Sequence, residues 1–295
     1  MNRLPLSRRE WLAESCALLS LSVLSIPRMA SDGALEDVVA NPRGGYRFLP
    51  GVPFLSLGAV AADGFEVVRT TLRRPRPLSA GLQEIERQLE KAGRPIQALC
   101  GLELRSPRVP TPQEFGAMNA AYVERFDRMG LLIDGKSPVA RTNVAFPVPE
   151  LSIHGYSYTV RSAAGGGAPP TFILSAVPEV RNLRSAAAGA ERPDFVASGD
   201  TTAAGTFTLD GLRKKTDFVL TALEESMRAL GVQWSDATGV QFYTLEDAHP
   251  LIGSLILPRI GAAARLSVQW HHAHPPGTIN IVEMDARGIR VETML

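Results

Sequence analysis

The densest run of chemistry-bearing side chains is Gln269-Trp270-His271-His272-Ala273-His274, followed by Pro275-Pro276. On a strand, His272 and His274 face the same way because successive side chains alternate. No Asp or Cys is spaced to complete a metal site, so the run reads as substrate contact, interface contact or plain structure, and no metal is expected. Cys16 and Cys100 are too few for a disulfide framework or a thiolate centre. Asp63-Gly64 and Gly165-Gly166-Gly167 are turn and linker glycines outside any GxGxxG or phosphate loop, which leaves a nucleotide without support. No cofactor is expected.

The elements that must position such residues come from a chain of 295 residues, 45% hydrophobic and 21% charged, the composition of an ordinary globular protein. At roughly 100–200 residues per domain, two domains are the starting expectation. Thirty-one basic against thirty acidic residues give a net charge of +1, with no long run of one sign. That balance argues against nucleic acid as a partner.

The N-terminus has a basic start (Arg3, Arg8, Arg9) and an apolar stretch from Cys16 to Ile26. The stretch is about half of what crosses a bilayer core, so no stable membrane anchor is expected. Ser7-Arg8-Arg9-Glu10-Trp11-Leu12 matches the twin-arginine export pattern, with Trp11 where Phe is usual. Residues 1–30 are therefore expected to be a twin-arginine signal peptide that directs the protein to the periplasm. The alternative is an N-terminal extension on a cytoplasmic protein.

Beyond the leader, a loop rich in Gly and Pro (Asn41 to Pro53) precedes strand candidates at Phe54 to Val60 and Phe65 to Leu72. Asp63-Gly64 between them is a hairpin signal. Leu78, Leu82, Ile85, Leu89 and Ala92 repeat at helical spacing, and Gly93 and Pro95 close the helix. Ala98 to Leu104 alternates as a strand. Thr111-Pro112-Gln113-Glu114 is a capping box that opens a helix carrying Phe115, Met118, Tyr122, Phe126 and Met129. Val139 to Phe146 and Ser152 to Val160 complete the order β-β-α-β-α-β-β.

Gly165 to Pro170 interrupts as a linker, and the same order restarts behind it. Phe195 to Ser198 and Thr206 to Thr208 begin it, and a helix follows along Leu212, Thr216, Val219, Leu223, Met227 and Leu230, ending at Gly231. A strand at Thr238 to Leu245 and a trimmed helix at Pro250 to Ile260 precede strands at Arg265 to His272, Thr278 to Met284 and Ile289 to Met294. The pattern predicts a duplicated α+β architecture with helices on one face of a mostly antiparallel sheet, its domains at 31–160 and 171–295 joined by the linker 161–170.

Several motifs resemble the RidA (YjgF/YER057c/UK114) family. Ala197-Ser198-Gly199-Asp200 before the helix at Leu212 is similar to that family's Ser-Gly-Gln turn. Ala263-Ala264-Arg265-Leu266-Ser267-Val268 and, more closely, Pro138-Val139-Ala140-Arg141-Thr142-Asn143-Val144 are similar to its arginine strand. Phe115, Asn119 and Tyr122 match its second helix. The resemblance implies two tandem domains of the chorismate-mutase-like fold, with sites in clefts between domain copies and a trimer favoured among homo-oligomers. It also implies a cofactor-free hydrolase or deaminase acting on a small carboxylated imine, enamine or unsaturated acid.

By the same resemblance, Arg141 and Arg265 grip a substrate carboxylate through the two-pronged bonding that a guanidinium fork allows, and Ser198 contacts the substrate. The family's water-activating glutamate has no match in Ser152-Ile153-His154-Gly155-Tyr156, where His154 stands near the place and could act as the base. A strand-end histidine bonded to a backbone carbonyl is the alternative. In the second half Glu283 is available, although strand alternation sets it opposite Asn280 and Val282. His154 or Glu283 is thus expected to handle the water proton. Chorismatase-like enolpyruvyl ether hydrolysis and a non-catalytic binding module are the rival readings.

Overall fold

The computed structural model describes residues 37–163, 168–183, 192, 194–197, 207–276 and 280–295. The first half of the chain runs β1 (Val39–Asn41), β2 (Tyr46–Val52), β3 (Leu55–Ala61), β4 (Phe65–Pro77), helix α1 (Leu78–Lys91), β5 (Leu99–Ser106), helix α2 (Pro112–Arg128), β6 (Ala140–Ala145) and β7 (Ser152–Arg161). The second half runs β8 (Phe172–Leu174), β9 (Val177–Pro178), helix α3 (Leu209–Leu230), β10 (Gly239–Tyr243), short helical turns from His249 to Leu266, β11 (Gln269–His271), β12 (Glu283–Gly288) and β13 (Glu292–Met294).

These strands form one mixed sheet in the order β11-β10-β12-β8-β3-β6-β5-β7-β4-β13, with β2 and β1 added beside β3, and β9 beside β12. The expectation of two tandem RidA-like domains, each with its own sheet, is corrected by this continuity. β3 of the first half pairs with β8 of the second through Gly58↔Leu174, Ala59↔Ile173 and Val60↔Phe172. The final strand returns to the first half, where β13 lies parallel to β4. Backbone groups of one half are satisfied by the other, so the sheet cannot be divided without exposing them.

Local chemistry explains the helices. In α1, Leu82, Ile85 and Leu89 are fully buried, and Gly81 lets the helix approach β7: a Cβ there would lie 2.8 Å from Ile153 Cδ1. The Thr111–Glu114 capping box forms, with Glu114 N–H donating to Thr111 Oγ1 at 3.3 Å and Thr111 N–H donating to Glu114 Oε2 at 2.8 Å. It starts α2, whose inner face buries Asn119, Tyr122 and Phe126. α3 buries Leu212, Val219, Leu220, Leu223, Met227 and Leu230 against β10 and β12 residues, then stops at Gly231, whose φ of 74° suits glycine. Burial of each such leucine contributes about 1.5–3 kcal/mol.

Three local expectations are revised. The Asn41–Pro53 segment is not all loop: β1 ends at Asn41, β2 occupies Tyr46–Val52, and register shifts around Pro50 accommodate a residue with no N–H to donate. Asp63-Gly64 makes a turn, with Phe65 N–H on Ala62 O at 3.0 Å, but no hairpin. β3 pairs with β2, β6 and β8, while β4 pairs with β7 and β13. The strand expected from Arg265 shortens to Gln269–His271, because residues 261–266 are helical.

Candidate active site

β6 places Arg141. Its backbone N–H donates to Ser175 Oγ at 2.8 Å and its carbonyl accepts from Ala176 N–H at 3.3 Å. Two residues further along, Val177 and Pro178 pair with Met284 and Glu283 of β12. This short bridge, β6 to the 175–178 segment to β12, brings Arg141 and Glu283 to the wall of one cavity of about 1220 Å³. Phe54, Leu57, Phe115, Leu132 and Val177 supply apolar lining, and Asn119, Asn143 and Asn280 stand beside the two charged groups.

The Arg141 guanidinium is held from three sides. Nη1 donates to Asn119 Oδ1 of α2 at 2.8 Å, and Cζ lies 4.7 Å from the Phe54 ring centroid and 5.2 Å from that of Tyr122. The residue is 4% exposed. Burial lowers its affinity for the proton, and Tyr122 and Glu283 oppose that effect. A guanidinium keeps its charge even so. Among the described residues no carboxylate lies within ion-pair distance of it.

Asn143 shares Arg141's face of β6. Its Oδ1 accepts from Ser106 Oγ at 3.0 Å, and its Nδ2 is buried without a partner among the described residues. Asn280 Nδ2 donates to Glu283 Oε1 at 3.0 Å, leaving Asn280 Oδ1 buried and without a partner among the described residues. One spare donor and one spare acceptor thus flank the cation and the carboxyl. Buried polar groups without partners cost about 1–3 kcal/mol each, which a bound molecule of matching polarity would offset.

Glu283 is 4% exposed, at the first position of β12. Burial pushes its carboxyl well above the usual carboxylate range, and the charge of Glu179 adds to this against Asn280 and Arg141. The shift is toward the protonated acid, the form in which a carboxyl can donate a proton. Asn280 precedes the strand, so the alternation argument that set it opposite Glu283 does not apply.

The remaining sequence candidates lie elsewhere or outside the described residues. His154 projects from β7 toward Arg105 and His271, not into the cavity, and makes no hydrogen bond among the described residues. Burial, then the charge of Arg105, lowers its pKa to about 4. Arg265 is exposed on a helical turn, with Nη1 donating to Ala262 O at 2.7 Å and Nη2 to Ala237 O at 3.3 Å. His271 Nε2 lies 2.6 Å from Gln241 Oε1, and His274 Nδ1 lies 2.6 Å from Pro275 O. Ser198 falls outside the described residues, as do Gly165 to Gly167 and the leader with Cys16. Among the described residues no group of three or more His, Cys, Asp or Glu side chains could hold a metal ion.

A buried cation and a buried carboxyl with raised proton affinity on one cavity wall define a site suited to acid–base chemistry on a small carboxylic acid. Residues 38–293 match the family model described as "2-aminomuconate deaminase CnbZ". The chain belongs to that family, which corrects the resemblance to RidA. It is 34% identical over 264 residues to a 2-amino-5-chloromuconate deaminase of Comamonas testosteroni, covering 88% of this chain and 100% of the relative. A crystal structure of a chorismatase aligns with a TM-score of 0.40 at 13% identity, over 86% of this chain and 90% of that one.

Proposed function

We propose that this protein hydrolyses a 2-amino-dienedioic acid of the 2-aminomuconate type to the 2-oxo acid and ammonia. The observation that carries the reading is the placing on one wall of Arg141, a buried cation with no ion-pair partner among the described residues, and Glu283, a buried carboxyl with raised proton affinity. Membership of the deaminase family supports it independently.

The chemistry asks for few groups. Arg141 and Asn143 Nδ2 receive the carboxylate next to the amino-bearing carbon. Asn280 Oδ1 accepts from the amino N–H. Glu283 gives its proton to the neighbouring carbon of the enamine, and the carbon–nitrogen bond becomes an iminium. The resulting Glu283 carboxylate then removes a proton from a water whose oxygen bonds to the iminium carbon. In the carbinolamine the hydroxyl proton passes to nitrogen, the carbon–nitrogen bond breaks and ammonia leaves. Substrate and water in, 2-oxo acid and ammonia out, with Glu283 returned to its protonated state.

The test is turnover of 2-aminomuconate by the purified protein, following diene absorbance and free ammonia together. Equimolar ammonia and 2-oxo acid are expected. Absence of ammonia release at high enzyme concentration would remove the reading.

A further inference from the structure

Behind Glu283 lies a second pair of charges that the reaction above does not use. Glu179, just after β9, and Lys215, on α3, are both 0% exposed, with Nζ 3.2 Å from Oε1. The Lys215 ammonium also sits 4.8 Å from the Phe207 ring centroid. Glu179 does more than answer the lysine. Its Oε1 accepts from Ile281 N–H at 2.7 Å and its carboxylate from Val282 N–H at 3.3 Å, the two residues between Asn280 and Glu283. A carboxylate is thereby clamped to the backbone that carries the cavity-lining Asn280 and Glu283.

We infer that the buried Glu179–Lys215 pair is a positioning device for the proposed deamination, fixing the 280–283 backbone and setting a carboxylate behind Glu283. The inference rests on the proposed function. A backbone clamp needs only an acceptor; a neutral glutamine would serve. A carboxylate at this place adds a negative charge against which a second buried carboxylate is unfavourable. Burial raises the proton affinity of Glu179, and Lys215 Nζ, 3.2 Å away, opposes this and favours the carboxylate. The charged and titratable groups facing Glu283 are Glu179 behind it, Arg141 across the cavity and Asp285 on its own strand. Of these, Arg141 favours the Glu283 carboxylate, and Glu179 and Asp285 oppose it. Without Glu179 the balance moves toward early loss of the proton.

The experiment is the pH profile of kcat/KM for 2-aminomuconate in the full-length protein with Glu179→Gln and Lys215→Met combined. This double change keeps a backbone acceptor and leaves no unpaired buried charge. The alkaline limb, where Glu283 loses its proton, is expected to move down by about one pH unit or more, and the ¹³C carboxyl titration of Glu283 is expected to move with it. The single change Glu179→Asp, which keeps the charge, should leave the limb near its wild-type position while lowering kcat. If the double variant folds and neither limb nor titration moves, the inference is overturned. If Glu283→Gln itself keeps full activity, the proposed reaction has failed, and the ¹³C titration still decides whether Glu179 governs Glu283. Should the double variant not fold, the same titration in Lys215→Met decides: an unmoved Glu283 overturns the inference.

Discussion

Arg141 and Thr142 are neighbours in β6 and bond to different elements: Arg141 Nη1 to Asn119 Oδ1 of α2 at 2.8 Å, Thr142 Oγ1 to Asp285 Oδ2 of β12 at 2.7 Å. One step of strand alternation separates two polar systems. The Arg141 side opens on the cavity. The Thr142 side belongs to a network in which Asp285 Oδ2 also lies 2.9 Å from the Tyr243 hydroxyl, and His271 stacks on Tyr243 at 4.7 Å.

Arg141→Met separates binding from stability. Among the described residues the guanidinium is buried with no carboxylate to pair it, and its removal there leaves Asn119 Oδ1 without that partner. Loss of two charge-assisted bonds to the substrate predicts a fall in kcat/KM of at least about 100-fold. The melting temperature should stay level or rise, since a well-packed apolar group often replaces a desolvated charge without loss. Thermal unfolding and steady-state kinetics on the same sample check both halves of this expectation.

The Arg69–Glu103 pair carries stability in the other network. Arg69 Nε and Nη2 donate to the two Glu103 oxygens at 2.6 and 2.8 Å, both residues buried. Burial pushes the Glu103 carboxyl up, but the bonds and charge of Arg69 outweigh it and hold the pKa at about 2 against an ordinary 4.5. A depressed carboxyl stabilises the fold above its unfolded pKa. That contribution, of order 3 kcal/mol, should be lost as pH falls from 4.5 toward 2. Glu103→Gln is expected to lower unfolding free energy at pH 7 by about 3–5 kcal/mol and to flatten the acid limb, as measured by denaturant titration at several pH values.

Arg105→Met should raise the pKa of two histidines at once. Burial first, and the Arg105 charge next, hold both His154 and His271 at about 4. Depressed imidazoles stabilise the fold above their unfolded pKa, and that contribution is lost as pH drops from 6.5 toward 4. Without Arg105 both should titrate closer to 6.5, as read from ¹H–¹⁵N imidazole spectra. A histidine that stays near 4 in the variant owes its shift to burial and the remaining cations rather than to Arg105.

Much of this was legible in the sequence, for definite reasons. The Thr111 capping box and the Leu78–Leu89 periodicity each encode local physics, and both helices form where the pattern puts them. Arg141 stood out through its strand motif and does face the cavity. Asn143, two positions on, shares that face by alternation and could have been read as its companion. The continuous sheet was not legible, because the β3–β8 and β4–β13 pairings join residues far apart in sequence and leave no local mark. Repetition of element order therefore read as two domains. Glu179 and Lys215 were missed for the same reason: an isolated carboxylate and a lysine on an amphipathic helix carry no sign that tertiary packing will bury them together. His154 drew attention by residue type alone, and its orientation depends on a register shift in the β5–β7 pairing between Glu103 and Leu104.

The central claim is that the buried, proton-bearing carboxyl of Glu283 performs the proton transfers of a deamination. The rate of ammonia release from 2-aminomuconate at pH 7 by Glu283→Gln, a change that keeps the shape and the contact with Asn280, tests it most directly. The account predicts a loss in kcat of about 10²–10⁴-fold with KM changed little. A glutamine variant that releases ammonia within a few-fold of the wild-type rate would contradict it.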